Sequence, residues 1–206
     1  LKSRGAEVWG SDENVYPPMS EKLAEWDIRV CNGYDVKNLD PLPDLVVIGN
    51  IIRKTNLEAQ HVLRAGLAYI SMPEAIAQFG IGKRQSIVVT GTHGKTTTTA
   101  ILSHVLEAAN LDPSYLVGGA LVGYPNSFKF GSGNQFVVEG DEYDTSFFDK
   151  GPKFRHYRPD IAILTSLEFD HADIFTDVGA VENAFKKLLD VIPETGSLVV
   201  WGGAKR

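Results

Sequence analysis

Residues 87–106 constrain this chain more than any other stretch. Ile87-Val88-Val89-Thr90 is a largely β-branched run, Gly91-Thr92-His93-Gly94 follows as a glycine turn, and from Lys95 apolar residues recur at helical spacing through Ile101, Leu102, Val105 and Leu106. Strand, glycine loop, lysine and helix in that order suit a phosphate site. Glycines let backbone N–H groups turn inward, the helix N-terminus carries partial positive charge, and the ammonium reaches the outer phosphates. A hydroxyl directly after the lysine can hold Mg²⁺, and Thr96 supplies it. Only Thr92 and His93 separate Gly91 from Gly94-Lys95, so the loop is shorter than the common phosphate loop but keeps its chemistry. Chance turn residues before a helix are the competing reading, against which the strand and helix in place weigh. The expected nucleotide contacts are Gly91, Thr92, His93, Gly94, Lys95, Thr96 and Thr97, with His93 either touching phosphate or only shaping the loop.

The same alternation runs through the rest of the chain. Residues 7–10, 45–49, 136–139, 161–167 and 198–201 read as buried strands, and residues 55–65, 73–79, 96–109 and 178–191 as helices with apolar residues three and four apart. This predicts an α/β protein with a mainly parallel sheet. Phe79-Gly80-Ile81-Gly82-Lys83-Arg84 is the best linker, which places domains at residues 1–81 and 82–206. Leu1-Lys2-Ser3-Arg4-Gly5 reads as a helix tail with Gly5 as its cap, and a fragment of a longer protein is expected.

At 206 residues and 43% hydrophobic, the chain can bury a sizeable core. Its net charge of −6 argues against a general nucleic-acid or anionic-membrane binder. Cys31 is the only cysteine, which excludes an intrachain disulfide and a cysteine-rich zinc site and fits a reducing cytosol. No signal segment or membrane-length apolar run is visible, so a cytoplasmic location is expected, and nothing calls for an obligate protein partner.

A second constellation lies at 136–144. Phe136-Val137-Val138-Glu139-Gly140-Asp141-Glu142-Tyr143-Asp144 puts four carboxylates beyond the end of a buried strand, where ligands sit in open parallel sheets. The arrangement suits Mg²⁺, and a solvated acidic loop is the alternative. Glu139, next to the strand, is expected to be fixed, and Glu142, further along the turn, to be freer. Leu164-Thr165-Ser166-Leu167-Glu168-Phe169-Asp170-His171-Ala172-Asp173 repeats the pattern, with His171 as a metal or water-shell partner.

Thr90-Gly91-Thr92-His93-Gly94-Lys95-Thr96-Thr97-Thr98-Thr99, the Glu139-Gly140-Asp141-Glu142 turn and Asp170-His171 together resemble the central domain of the Mur ligases. Gly10-Ser11-Asp12-Glu13-Asn14-Val15-Tyr16-Pro17-Pro18-Met19-Ser20, Phe147-Phe148-Asp149-Lys150 and the run from Leu167 to Phe175 resemble the branch that joins a murein tripeptide to UDP-N-acetylmuramate. The resemblance covers nearly the whole chain. It implies a Rossmann-like UDP-binding domain lacking its first strand and glycine loop, then part of a phosphate-loop central domain, with the C-terminal domain absent. It further implies an ATP- and Mg²⁺-dependent ligase of cell-wall recycling, with UDP-N-acetylmuramate and L-alanyl-γ-D-glutamyl-meso-diaminopimelate as substrates and an acyl phosphate between them. On that resemblance Lys95 and His171 are catalytic, Thr96, Glu139 and His171 hold metal, and Asp12, Asn50, Gly118 and Gly119 contact the UDP substrate. Some relatives use a carbamylated lysine in the helix holding Lys186 and Lys187, which here read as a solvated face.

Two other functions stay open at this point. One is the relative that adds L-alanine to UDP-N-acetylmuramate, against which Tyr143 and the Tyr16-Pro17-Pro18-Met19 run speak; the other is a nucleotide-binding module without ligase activity.

Overall fold

The structure, a computed structural model, describes residues 1–167 and 178–202. They form two compact units, Leu1–Ser71 with Ser146–Phe148, and the described part of Met72–Thr145 and Asp149–Arg206.

The first unit contains two strand–helix–strand repeats. A short turn at Lys2–Arg4 ends on Gly5, whose φ of 87° is left-handed, as a helix-ending glycine requires. β1 (Trp9–Asp12), α1 (Met19–Glu25) and β2 (Arg29–Asn32) form one repeat, with β1 and β2 parallel. β3 (Val46–Ile48), α2 (Leu57–Ala65) and β4 (Tyr69–Ser71) form the other, also parallel, as a helical crossover dictates. Asn56 caps α2 by accepting from Ala59 N, and Gly66 closes it. Neither α1 nor β2 was legible in the sequence: Arg29-Val30-Cys31-Asn32 is half exposed and lacks an apolar run.

In the second unit α3 (Met72–Ala75) runs into a π-helical segment, Ile76–Ile81. Ile81 is buried in the second unit's core, and Gly82, where the sequence places the domain boundary, ends this segment. Then follow β5 (Gln85–Thr90), α4 (Lys95–Ala108), β6 (Ser114–Leu116), β7 (Phe128–Lys129), β8 (Gln135–Gly140), α5 (Phe154–Tyr157), β9 (Ile161–Leu164), α6 (Val178–Leu189) and β10 (Ser197–Val200). The sheet order is β10-β9-β5-β8-β6-β7, parallel except for β6 against β7. The expected α/β class with a mainly parallel sheet is therefore correct.

Alternate residues of β5 enter opposite cores. Ile87 and Val89 meet Tyr115 and Val137 with Leu102 and Leu106 of α4, while Val88 meets Phe136, Val138, Phe154 and Leu188. Burial on both faces explains why these strands read as continuous apolar runs, and each fully buried valine contributes about 1.5–3 kcal/mol. The register Val89↔Glu139, Thr90↔Gly140 and Thr90↔Leu164 aligns the C-terminal ends of β5, β8 and β9. The segments beginning at Gly91, Asp141 and Thr165 consequently leave the sheet at one edge, where open parallel sheets bind ligands.

Candidate active site

The glycine loop is held by the residues after β9. Gly91 has φ 130°, and a Cβ there would stand 2.8 Å from Ser166 O and overlap the Thr165 hydroxyl. Thr92 N donates to Ser166 O and His93 N to Ser166 Oγ, each at 3.0 Å. The Thr165 hydroxyl donates to His93 O at 2.5 Å. These bonds explain why β9 stops at Leu164 instead of reaching residue 167: Thr165 and Ser166 bond the loop. They also give the His93 backbone the loop-shaping part of its two expected roles.

Gly94, at φ 78°, opens α4, whose first intrahelical bond is Thr98 N to Gly94 O at 2.9 Å. The N–H groups of Lys95, Thr96 and Thr97 precede any intrahelical acceptor, and with the helix dipole they make this end attractive to an anion. Further along, Thr99 and Ser103 are buried because each hydroxyl donates to the carbonyl one turn earlier, Lys95 O and Thr99 O, both at 2.8 Å.

Lys95 Nζ lies 2.6 Å from Gly91 O and 3.3 Å from Thr92 O, so the ammonium crosses the loop it follows. The same ammonium pairs with Glu142, Nζ to Oε2 at 3.2 Å. Thr96 Oγ1 donates to Glu139 Oε2 at 3.0 Å, and Gly118 N donates to Glu139 Oε1 at 2.5 Å. A Cβ on Gly118 would stand 3.0 Å from Glu139 Oε2, and one on Gly119 3.2 Å from Thr96 Cγ2, so both glycines lie close against this pair. Lys95, Thr96, Glu139, Gly118 and Gly119, singled out separately in the sequence, thus stand together.

Each carboxylate of the acidic turn has a partner. Besides Glu139 and Glu142, Asp141 pairs with Lys153 and Asp144 with Lys150, both at 2.9 Å. A freely solvated loop does not describe this turn. The expectation that Glu142 is freer than Glu139 is wrong: its side chain is 2% exposed, because the turn folds back beside Lys95. That role was not legible, since three carboxylates after a strand look alike in sequence. The loop-bonding role of Thr165 and Ser166 was missed too, although two hydroxyl residues directly after an apolar strand were the signal.

Among the described residues there is no cluster of three or more His, Cys, Asp or Glu side chains able to hold a metal. Of the expected metal set, Thr96 and Glu139 meet, and His171 lies outside the described residues, as do Asp170 and Asp173. A carboxylate beside a hydroxyl fits Mg²⁺, which takes hard oxygen donors and one or two carboxylates while keeping several waters. In the first unit Asp12 ends β1, with its carboxylate accepting from Asn14 N at 2.9 Å, and Asn50 follows β3 on an exposed turn. Lys186 and Lys187 are exposed.

Residues 89–205 match the Mur ligase middle domain, and residues 1–84 match the Mur ligase family catalytic domain. The chain belongs to the Mur ligase family. Among relatives of this Mur ligase chain, the UDP-N-acetylmuramate–L-alanyl-γ-D-glutamyl-meso-2,6-diaminoheptandioate ligase of Escherichia coli (strain K12) is 43% identical over 195 residues, 95% of this chain and 43% of the relative. The UDP-N-acetylmuramate–L-alanine ligase of Syntrophomonas wolfei is 34% identical over 203 residues, 98% of this chain and 42% of the relative. The crystal structure of the UDP-N-acetylmuramate:L-alanyl-γ-D-glutamyl-meso-diaminopimelate ligase from Neisseria meningitides superposes with a TM-score of 0.92 at 41% identity, over 99% of this chain and 66% of that one. The Mur ligase chain thus spans less than half the length of these curated relatives. Among the described residues no helix is long and apolar enough to cross a membrane.

Proposed function

We propose that this chain is the phosphate-handling part of a cytoplasmic ATP-dependent ligase that joins L-alanyl-γ-D-glutamyl-meso-diaminopimelate to UDP-N-acetylmuramate in peptidoglycan recycling. The observation that carries the ligase reading is the Thr96–Glu139 contact beside Lys95, at the N-terminus of α4. The choice of tripeptide over alanine as the amine rests on 43% identity to the tripeptide ligase against 34% to the alanine ligase.

In this reading a carboxylate oxygen of the muramyl lactyl group attacks the γ-phosphorus of ATP, the bond to the ADP oxygen breaks, and an acyl phosphate forms. The tripeptide amine then attacks the acyl carbon, phosphate leaves, and the amine loses a proton as the amide forms. The loop and the first turn of α4 bind the polyphosphate, and Lys95 offsets charge on the transferring group, the largest service a site can render to phosphoryl transfer. Thr96 and Glu139 would hold Mg²⁺, which supplies further positive charge to phosphate oxygens. Gly118 and Gly119, which lie beside that pair, would contact the muramyl end of the UDP substrate, with Asp12 and Asn50 as further UDP-substrate contacts and His171 as a further metal and catalytic residue.

The test is a full-length ligase carrying these residues, given ATP, Mg²⁺, UDP-N-acetylmuramate and a panel of amines, with the product read by mass spectrometry. Tripeptide-dependent product is expected. Product with L-alanine instead assigns the alanine-adding activity, and nucleotide binding without product assigns a binding module. The 206 residues alone are expected to bind nucleotide without forming product.

A further inference from the structure

Glu142 has no part in the reaction described above, yet it is among the most buried acidic groups of the second unit. Its side chain is 2% exposed, and its two oxygens lie 3.4 and 3.2 Å from Lys95 Nζ. The same ammonium lies 2.6 Å from Gly91 O and 3.3 Å from Thr92 O. A lysine side chain has four rotatable bonds and a compact charge, so a single contact leaves it mobile. Here oxygens from two separate segments hold it, the loop carbonyls and the Glu142 carboxylate. The other acidic residues of the turn are engaged elsewhere, Asp141 with Lys153, Asp144 with Lys150 and Glu139 with Thr96.

A buried carboxylate beside a phosphate loop works against nucleotide affinity. It repels the polyphosphate, and its own desolvation is unfavourable. A neutral residue would serve binding better, which directs attention to the charge that Glu142 places beside Lys95. We propose that Glu142 is a positioning residue for Lys95. It holds the ammonium across the loop in the place from which it meets the transferring phosphoryl group, which raises the rate while lowering nucleotide affinity. The inference rests on the ligase reading above.

The experiment compares wild type, Glu142→Gln and Glu142→Asp in a full-length ligase carrying these residues. ADP binding is measured by calorimetry, and kcat and KM for ATP by product formation. Glutamine keeps the shape and removes the charge. For Glu142→Gln, kcat is expected to fall about 10- to 100-fold, the size of a lost charge-assisted hydrogen bond, while ADP binds at least as tightly and KM for ATP does not rise. Glu142→Asp restores the charge on a shorter stem and recovers most of kcat. A merely structural carboxylate predicts otherwise: kcat and nucleotide affinity fall together, and aspartate is no better than glutamine. That pattern, or wild-type kcat in Glu142→Gln, overturns the proposal. If wild type makes no tripeptide product, the reading of function fails. The role of Glu142 is then decided by the ADP arm alone, where weaker binding by Glu142→Gln overturns it.

Discussion

Thr96 Oγ1 and Glu139 Oε2 meet at 3.0 Å, and that contact ties the first turn of α4 to the C-terminal end of β8. Removing the charge with Glu139→Gln leaves a neutral pair where a divalent cation is to bind. Mg²⁺ is held by only one or two carboxylates, and losing a supporting group of a metal site typically costs about 10- to 100-fold in affinity, so the Mg²⁺ concentration for half-maximal turnover should rise on the order of tenfold or more. Glu142→Gln, whose partner is Lys95, should leave that midpoint in place while lowering the maximal rate. Magnesium titrations of both variants decide, and equal shifts would sink the assignment of Glu139.

Lys95→Ala should reduce ligation by about 3–4 kcal/mol of transition-state stabilisation, a factor of several hundred. It also strands Glu142, whose side chain is 2% exposed, without its cation. Taking one partner from a buried ion pair is destabilising by about 3–5 kcal/mol, so the melting temperature should fall as well. Adding Glu142→Gln should recover most of that temperature without recovering activity. A double variant no more stable than Lys95→Ala would show that the two residues are not coupled.

The strand–glycine turn–helix unit around Lys95 and the mainly parallel character of the second unit's sheet were readable because they rest on local signals. A strand buried on both faces must be apolar throughout, and a glycine turn with a lysine before a periodic helix has few other uses. What stayed hidden depends on contacts distant in sequence. β2 and α1 bury too little apolar surface to show a period, and β7 pairs only Phe128 and Lys129 with β6. Glu142 acquires its role by meeting a lysine 47 positions away, and Thr165 and Ser166 bind the loop from more than 70. Nothing in the turn's composition separates Glu142 from Asp141 or Asp144.

Asp112 should carry a pH-dependent part of the second unit's stability. It pairs with Lys129 at 2.8 Å and accepts from Ser132 N and Oγ, each at 2.7 Å. The bond from Lys129, then those from Ser132, hold its carboxyl far below the usual carboxylate range. A carboxyl depressed in the folded state contributes stability above its unfolded value, about 3.9, and loses that contribution as pH falls toward the folded value. Asp112→Asn should therefore lower the melting temperature at neutral pH. The gap to wild type should shrink steadily below about pH 4. A gap that stays constant from neutral pH down to the acid limit would assign the effect to shape instead of charge.

Gly91→Ala should abolish nucleotide binding and destabilise the second unit together. The backbone at Gly91 has φ 130°, a conformation that side-chain-bearing residues rarely adopt, and a new Cβ would meet the Thr165 hydroxyl and stand 2.8 and 2.9 Å from Ser166 O and N. Backbone strain of about 1–3 kcal/mol adds to overpacking of about 1–3 kcal/mol. Neither neighbour can yield freely. Ser166 accepts from Thr92 N and His93 N, and the Thr165 hydroxyl bonds His93 O, so moving them frees the loop from its support. Gly118→Ala is the control, since its Cβ would meet the Glu139 carboxylate at 3.0 Å without a positive φ, at a side chain able to shift. That variant should keep its stability within about 1 kcal/mol of wild type and disturb the Mg²⁺ dependence instead. Calorimetric ADP titration and thermal melts of the two variants separate these outcomes. Wild-type nucleotide affinity in Gly91→Ala would show that the close approach of the loop to Thr165 and Ser166 is not what shapes the phosphate site.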